Sequence, residues 1–127
     1  MDQLTYTFEC LYGSFEFKAE IKDKQLHYSK YGSIPSFENA VGMLEEEKTE
    51  EFLKELELSG IERWDVKYEA TGLPIEDAVK WSVTYEKDGI TYYSEGEETY
   101  EPYGYEHLIK AIEYCEDKAS YFLAMLN

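Results

Sequence analysis

The side chains that usually carry catalysis are few in this chain and stand far apart. A nucleophile needs an oriented base beside it, and the only imidazoles are His27 and His107. His27 falls in an alternating stretch, on the side opposite Leu26 and Tyr28, and reads as a surface histidine. His107 lies in the first turn of the last helical segment, beside Glu106 and off its apolar stripe, the position of a solvated side chain. A zinc site calls for paired Cys or His ligands at short spacing, whereas Cys10 and Cys115 stand 105 positions apart. They read as two separate buried thiols rather than as a disulfide framework.

Hard cations and nucleotides fare no better. The alternating Asp/Asn ligands and glycine of an EF-hand are absent, and Glu95-Gly96-Glu97-Glu98 is a compact carboxylate cluster that offers a place for adventitious calcium at most. The eight glycines are dispersed and never take a phosphate-cradling spacing. With 28 acids, some pair of carboxylates always stands at a hydrolytic distance, so their number carries no specificity. The expectation is a chain that is not an enzyme and holds no metal and no cofactor.

One segment does stand out. Residues 92–106 contain five tyrosines and five glutamates and no positive charge. Tyrosine offers a stiff, amphipathic contact surface at small entropic cost, and carboxylates steer and pair with lysine and arginine on a partner. The expected partner-binding residues are Tyr93, Glu95, Glu97, Glu98, Tyr100, Glu101, Tyr103 and Glu106. The competing reading has Tyr92 or Tyr93 and Tyr105 in the core, with the glutamates merely keeping a loop soluble.

Charge widens the same theme. The net charge is -16, from 28 acids and 12 bases. Residues 1–36 are nearly neutral at -1, while 37–57 carry -6 and 81–127 carry -7. Such a field repels nucleic acid and anionic membranes and speeds encounter with basic proteins, an effect that weakens as salt rises. Acidity that serves only solubility is the plainer alternative.

The elements that must position these residues follow from periodicity. At 127 residues with 43% hydrophobic composition, one folded domain spanning 1–127 is expected. Leu4, Tyr6 and Phe8, and then Phe15, Phe17, Ala19 and Ile21, alternate as strands; Lys22-Asp23-Lys24 turns into a third strand, 25–31. Pro35-Ser36 and the spacing of Phe37, Ala40, Val41 and Leu44 predict a helix, weakened by Gly42. Thr49 is the expected cap of a further helical stretch through Phe52, Leu53 and Leu56, ending near Ser59-Gly60; 36–58 is one helix or two.

Trp64, Val66 and Tyr68 predict a strand, as do Trp81, Val83 and Tyr85, and Asp88-Gly89 predicts a tight hairpin to a strand at 90–94. Tyr105, Leu108, Ile109, Ile112, Cys115, Ala119, Phe122, Leu123 and Leu126 keep one helical face. The fold expected is α+β, a single domain with an antiparallel sheet and helices packed on one face, in the order β-β-β-α-β-β-β-α. Lys22-Asp23 and Tyr28-Ser29 also recur 65 residues on as Lys87-Asp88 and Tyr93-Ser94, a weak hint of duplication.

From Leu53 onward, Trp64 with Tyr68, Trp81, Asp88-Gly89, Gly96 with Pro102, and Leu108 with Ile112 form a pattern. It resembles one found in small uncharacterised bacterial proteins. The resemblance rests on fold determinants and implies a scaffold with no assigned activity.

Three functional readings result. The first is an acidic inhibitor of a basic nucleic-acid-binding protein, either a nucleic-acid mimic of the anti-CRISPR or anti-restriction type or the immunity protein of a toxin nuclease. The second is a small-ligand-binding or enzyme domain with an aromatic pocket, and the third a bacterial scaffold domain. No apolar run approaches a membrane span and the first residues do not resemble a signal peptide, so a cytoplasmic location is expected.

Overall fold

The structure, a computed structural model, describes residues 1–33, 39–68, 79–97 and 101–115. The chain is mixed α+β. Strands β1 (Gln3–Cys10), β2 (Gly13–Lys22), β3 (Gln25–Gly32) and β4 (Ala40–Leu44) are followed by helix α1 (Glu46–Ser59). After a 3-10 turn at Ile61–Arg63 come β5 (Lys67–Tyr68), β6 (Lys80–Lys87), β7 (Ile90–Glu97) and α2 (Tyr105–Glu113). The seven strands form one sheet in the order β4-β3-β2-β1-β6-β7-β5. All neighbours are antiparallel except β5, which runs parallel to β7.

The period of two decides which side is core. Leu4 and Tyr6 of β1 lie opposite Ala19 and Phe17 of β2 and opposite Tyr85 and Val83 of β6. Leu26, Tyr28, Leu44 and Trp81 continue this face, and all are buried. Burying each large apolar side chain contributes about 1.5–3 kcal/mol, so this face holds the fold. The contacts joining helices to sheet spring from it. Phe52 of α1 packs on Phe17 with ring centres 6.4 Å apart. Tyr105 of α2 lies 5.2 Å from the Trp81 ring and touches the Tyr6 hydroxyl with its own. The opposite face alternates polar, through Thr5, Thr7, Glu16, Lys18, Glu20, His27 and Ser29.

Both expected hairpin turns form. Asp23 and Lys24 have φ of 51° and 66°, and Asp88 and Gly89 have 53° and 78°. Two consecutive left-handed residues match the twist of the flanking strands. The 65-residue echo does not survive the register. Tyr28 lies on the buried face, whereas Tyr93, 65 positions later, stands opposite Thr84 on the open face. The two tyrosines take opposite faces of the sheet, so the echo is not a repeated core.

Four expectations are corrected. Ala40, Val41 and Leu44 belong to a strand, not a helix: Gly42 lets the chain lie flat under the Tyr28 ring, which a Cβ there would strike. The observed order therefore carries a fourth strand before α1. Thr49 is no cap, because α1 starts three residues earlier behind Glu45 and Thr49 is buried within it. The hydroxyl of Thr49 accepts from Leu26 N at 3.0 Å and donates to Leu44 O at 3.2 Å. The strand expected across Trp64, Val66 and Tyr68 shrinks to Lys67–Tyr68. Asp65 N donates to the Tyr68 hydroxyl at 2.7 Å and bends the chain there, leaving Val66 exposed. α1 itself is a single helix closed by Gly60 at φ 68°, where the stop was expected. Pro35, Ser36 and Phe37, residues 69–78, and Ala119 to Leu126 lie outside the described residues.

Candidate partner-binding surface

The expected tyrosine-glutamate set is divided by the sheet. Tyr93 and Glu95 project from the open face of β7, and the Tyr93 hydroxyl donates to Glu95 Oε2 at 2.8 Å. That bond to a carboxylate, ahead of partial burial, holds the Tyr93 phenol above its usual range. Lys67 Nζ lies 4.0 Å from Glu95 Oε1. Glu97 follows on the same strand. Its carbonyl accepts from Trp81 Nε1 at 3.3 Å, and its Oε2 is buried with no hydrogen-bond partner among the described residues.

The remaining members sit on the approach to α2. Glu101 is exposed, Tyr103 is 99% exposed, and Glu106 is exposed in the first helical turn. Gly104, at φ 94°, starts that helix against the backbone of Ser59, where a Cβ would collide. Tyr105 then points into the core. The structure thus brings Tyr93 and Glu95 together on β7, while Tyr103 stands just before α2 and Glu106 on its first turn. Glu98 and Tyr100 lie outside the described residues. Tyr92 packs against Tyr85 with ring centres 5.9 Å apart, so two of the five tyrosines serve packing.

The densest acidity is on α1. Its buried stripe is Thr49, Phe52, Leu56 and Ser59. Glu46, Glu47, Glu50 and Glu57 are exposed away from that stripe, with Glu45 just before the helix. Two α1 glutamates are engaged: Glu51 with Lys48 at 3.2 Å, and Glu55 with His107 Nδ1 at 2.8 Å. The other five form no ion pair among the described residues. Glutamates in the first turn suit the helix macrodipole, but Glu55 and Glu57 sit near the C-terminus with no basic residue in the last turn, against it. Local helix physics does not favour carboxylates at that end; Glu55 is met there by His107, whereas Glu57 forms no ion pair among the described residues.

The groups that could do chemistry stay apart. His27 is half-buried on the open face, Cys10 is half-buried, and Cys115 is buried with its thiol pushed up to about 12 by loss of solvent. Among the described residues no three of His, Cys, Asp and Glu come together as a metal site. The aromatic surplus packs ring on ring: Trp64 lies 6.0 Å from Trp81 and 6.2 Å from Tyr105. An open-face groove of about 460 Å³ is lined by polar Gln3, Thr5, Lys18, His27 and Ser29 with Val41. The His107–Glu55 pair had no local signal, since its members are 52 residues apart.

Comparison with family models, with curated proteins and with solved structures finds no match to this chain. No helix among the described residues is long and apolar enough to cross a membrane.

Proposed function

We propose that this chain is a single-domain, non-enzymatic cytoplasmic module that docks on a basic protein surface. In this reading the two helices form one layer over one face of the sheet, and the outer side of α1 is the docking surface. The observation that carries it is the row Glu45, Glu46, Glu47, Glu50 and Glu57, exposed and without ion pairs among the described residues. A partner rich in lysine and arginine supplies the missing counter-charges. Tyr103 and Glu106, on the same side, extend the surface, while Tyr93 and Glu95 lie beyond its rim. The partner class is a nuclease or other nucleic-acid-binding protein, whose phosphate-binding groove the glutamates would fill. Both the nucleic-acid-mimic and the immunity-protein forms of the idea need this surface.

The test is affinity capture from host lysate with the native chain and with Glu46→Gln/Glu47→Gln/Glu50→Gln/Glu57→Gln. A basic protein retained at about 50 mM salt, released as screening grows, and lost with the variant is the expected result. Equal capture by both chains would remove α1 from the proposal.

A further inference from the structure

The β4 edge of the sheet is unlike the rest of the surface. Leu26 N donates to Thr49 Oγ1, which donates in turn to Leu44 O, so the main-chain groups of Leu26 and Leu44 point towards each other. Main-chain direction alternates along a strand. Gly42 and Ala40 therefore also turn inward, towards Tyr28 and Lys30, and the N–H and C=O groups of Val41 and Met43 point out of the sheet. No hydrogen bond engages those outward groups among the described residues. Edges are commonly blunted by charge or proline, and β4 carries neither.

The charge map is equally distinct. β3 and β4 together contain Lys30 and no carboxylate, in a chain with 28 acids. On the open face beside the edge, Val41 is 74% exposed, and Met43 and Tyr31 are 50% exposed.

We propose that β4 is the contact through which two copies of this chain pair, edge to edge and antiparallel, about a two-fold axis at Gly42. Val41 and Met43 flank Gly42 symmetrically, so Val41 of each copy meets Met43 of the other and their outward N–H and C=O groups are all satisfied. The exposed Val41 and Met43 side chains of both copies then gather on one face. A chain of net charge -16 repels its own kind, and this edge is where the repelling carboxylates are missing. A basic partner would find nothing there to neutralise. Along the chain the nearest acids are Glu38, two residues before β4, and Glu45 to Glu47, which follow it. The two-fold axis separates Glu45 from its counterpart by six residues along the strands, roughly 20 Å, about two screening lengths at 0.1 M salt.

Sedimentation equilibrium on the full chain, at concentrations on the order of 100 μM, decides the matter. The expected mass is twice 14.9 kDa. Val41→Lys puts a charge on a solvent-facing side chain, and Val41→Pro removes an N–H that a single copy leaves unbonded. Both variants are expected to return the mass to 14.9 kDa with unchanged far-UV circular dichroism. The amides of Val41 and Met43 are expected to exchange slowly in the native chain and fast in Val41→Lys. A native chain that stays at 14.9 kDa overturns the proposal, whatever binds at α1, and so does a dimer that Val41→Lys leaves intact.

Discussion

Glu55 Oε2 lies 2.8 Å from His107 Nδ1, across the seam between α1 and α2, and both side chains are mostly shielded from solvent. Glu106 stands on the other side of the ring, 3.8 Å from Nε2. A shielded hydrogen bond of this kind contributes about 1 kcal/mol net. His107→Ala and Glu55→Ala are each expected to lower the unfolding free energy by about 1 kcal/mol or somewhat more. The double variant should cost less than the sum of the two. Urea unfolding of the four chains measures that coupling; strict additivity would mean that the pair does not join the helices.

Thr49 ties α1 to two strands through one hydroxyl. Thr49→Val keeps the shape but leaves Leu26 N–H and Leu44 C=O unmatched in a buried place. A loss of about 2 kcal/mol or more is expected, at about 1–3 kcal/mol for each stranded group. Thr49→Ser keeps the hydroxyl and removes a methyl group, costing about 1 kcal/mol. Denaturant midpoints of the two variants should fall in that order.

Thiol labelling distinguishes the two cysteines. Cys115 is fully buried with its thiol pushed up to about 12, so about one molecule in 10⁴ carries the thiolate at pH 8, and the thiolate is the reactive form. One equivalent of a thiol reagent is expected to react with the folded chain, at half-buried Cys10. A second equivalent should react only in denaturant. Mass mapping after brief labelling checks the site.

The same burial makes the fold sensitive to alkali. Tyr85 is likewise raised, chiefly by burial. A group whose pKa rises on folding contributes stability that is complete below its unfolded value and is lost as pH climbs through its folded value. For Cys115 that window opens near 9.0 and closes near 12. The melting temperature is expected to be flat up to about pH 9 in the absence of other titrations and to decline above it. Cys115→Ala should flatten part of the decline, even though the cavity lowers its starting point.

What the sequence reveals depends on how far each cause lies along the chain. The paired alternations of Leu4, Tyr6, Phe15 and Phe17, the turns at Asp23-Lys24 and Asp88-Gly89, and the stop at Gly60 are written locally and were legible. The segment 40–44 was not. Ala40, Val41 and Leu44 fit a helical face as well as a strand, because a short apolar run does not separate the two periods. The decision comes from β3, where Tyr28 closes over Gly42. Thr49 looked like a cap for the same reason: the groups it serves are on β3 and β4. The acidity of 37–57 was visible in composition, but its arrangement as one helix with a bare outer side required α1 to start at Glu46. The tyrosine-glutamate stretch was visible as a run, but its division between β7, which ends at Glu97, and α2, which starts at Tyr105, depends on pairings with β6 and contacts with Tyr6 and Trp81 far away in the chain.

The place of β1 carries a consequence for synthesis. β1 pairs with β2 on one side and, on the other, with β6, some seventy residues later. At about 5–20 residues per second on the ribosome, that flank stays uncovered for roughly 4–15 s while Leu4, Tyr6 and Phe8 wait for Tyr85, Val83 and Trp81. During that interval the nascent meander exposes an apolar, hydrogen-bond-hungry strand at what will become the middle of the sheet. Nascent-chain capture by a holding chaperone is therefore best timed to the interval before residue 87 emerges.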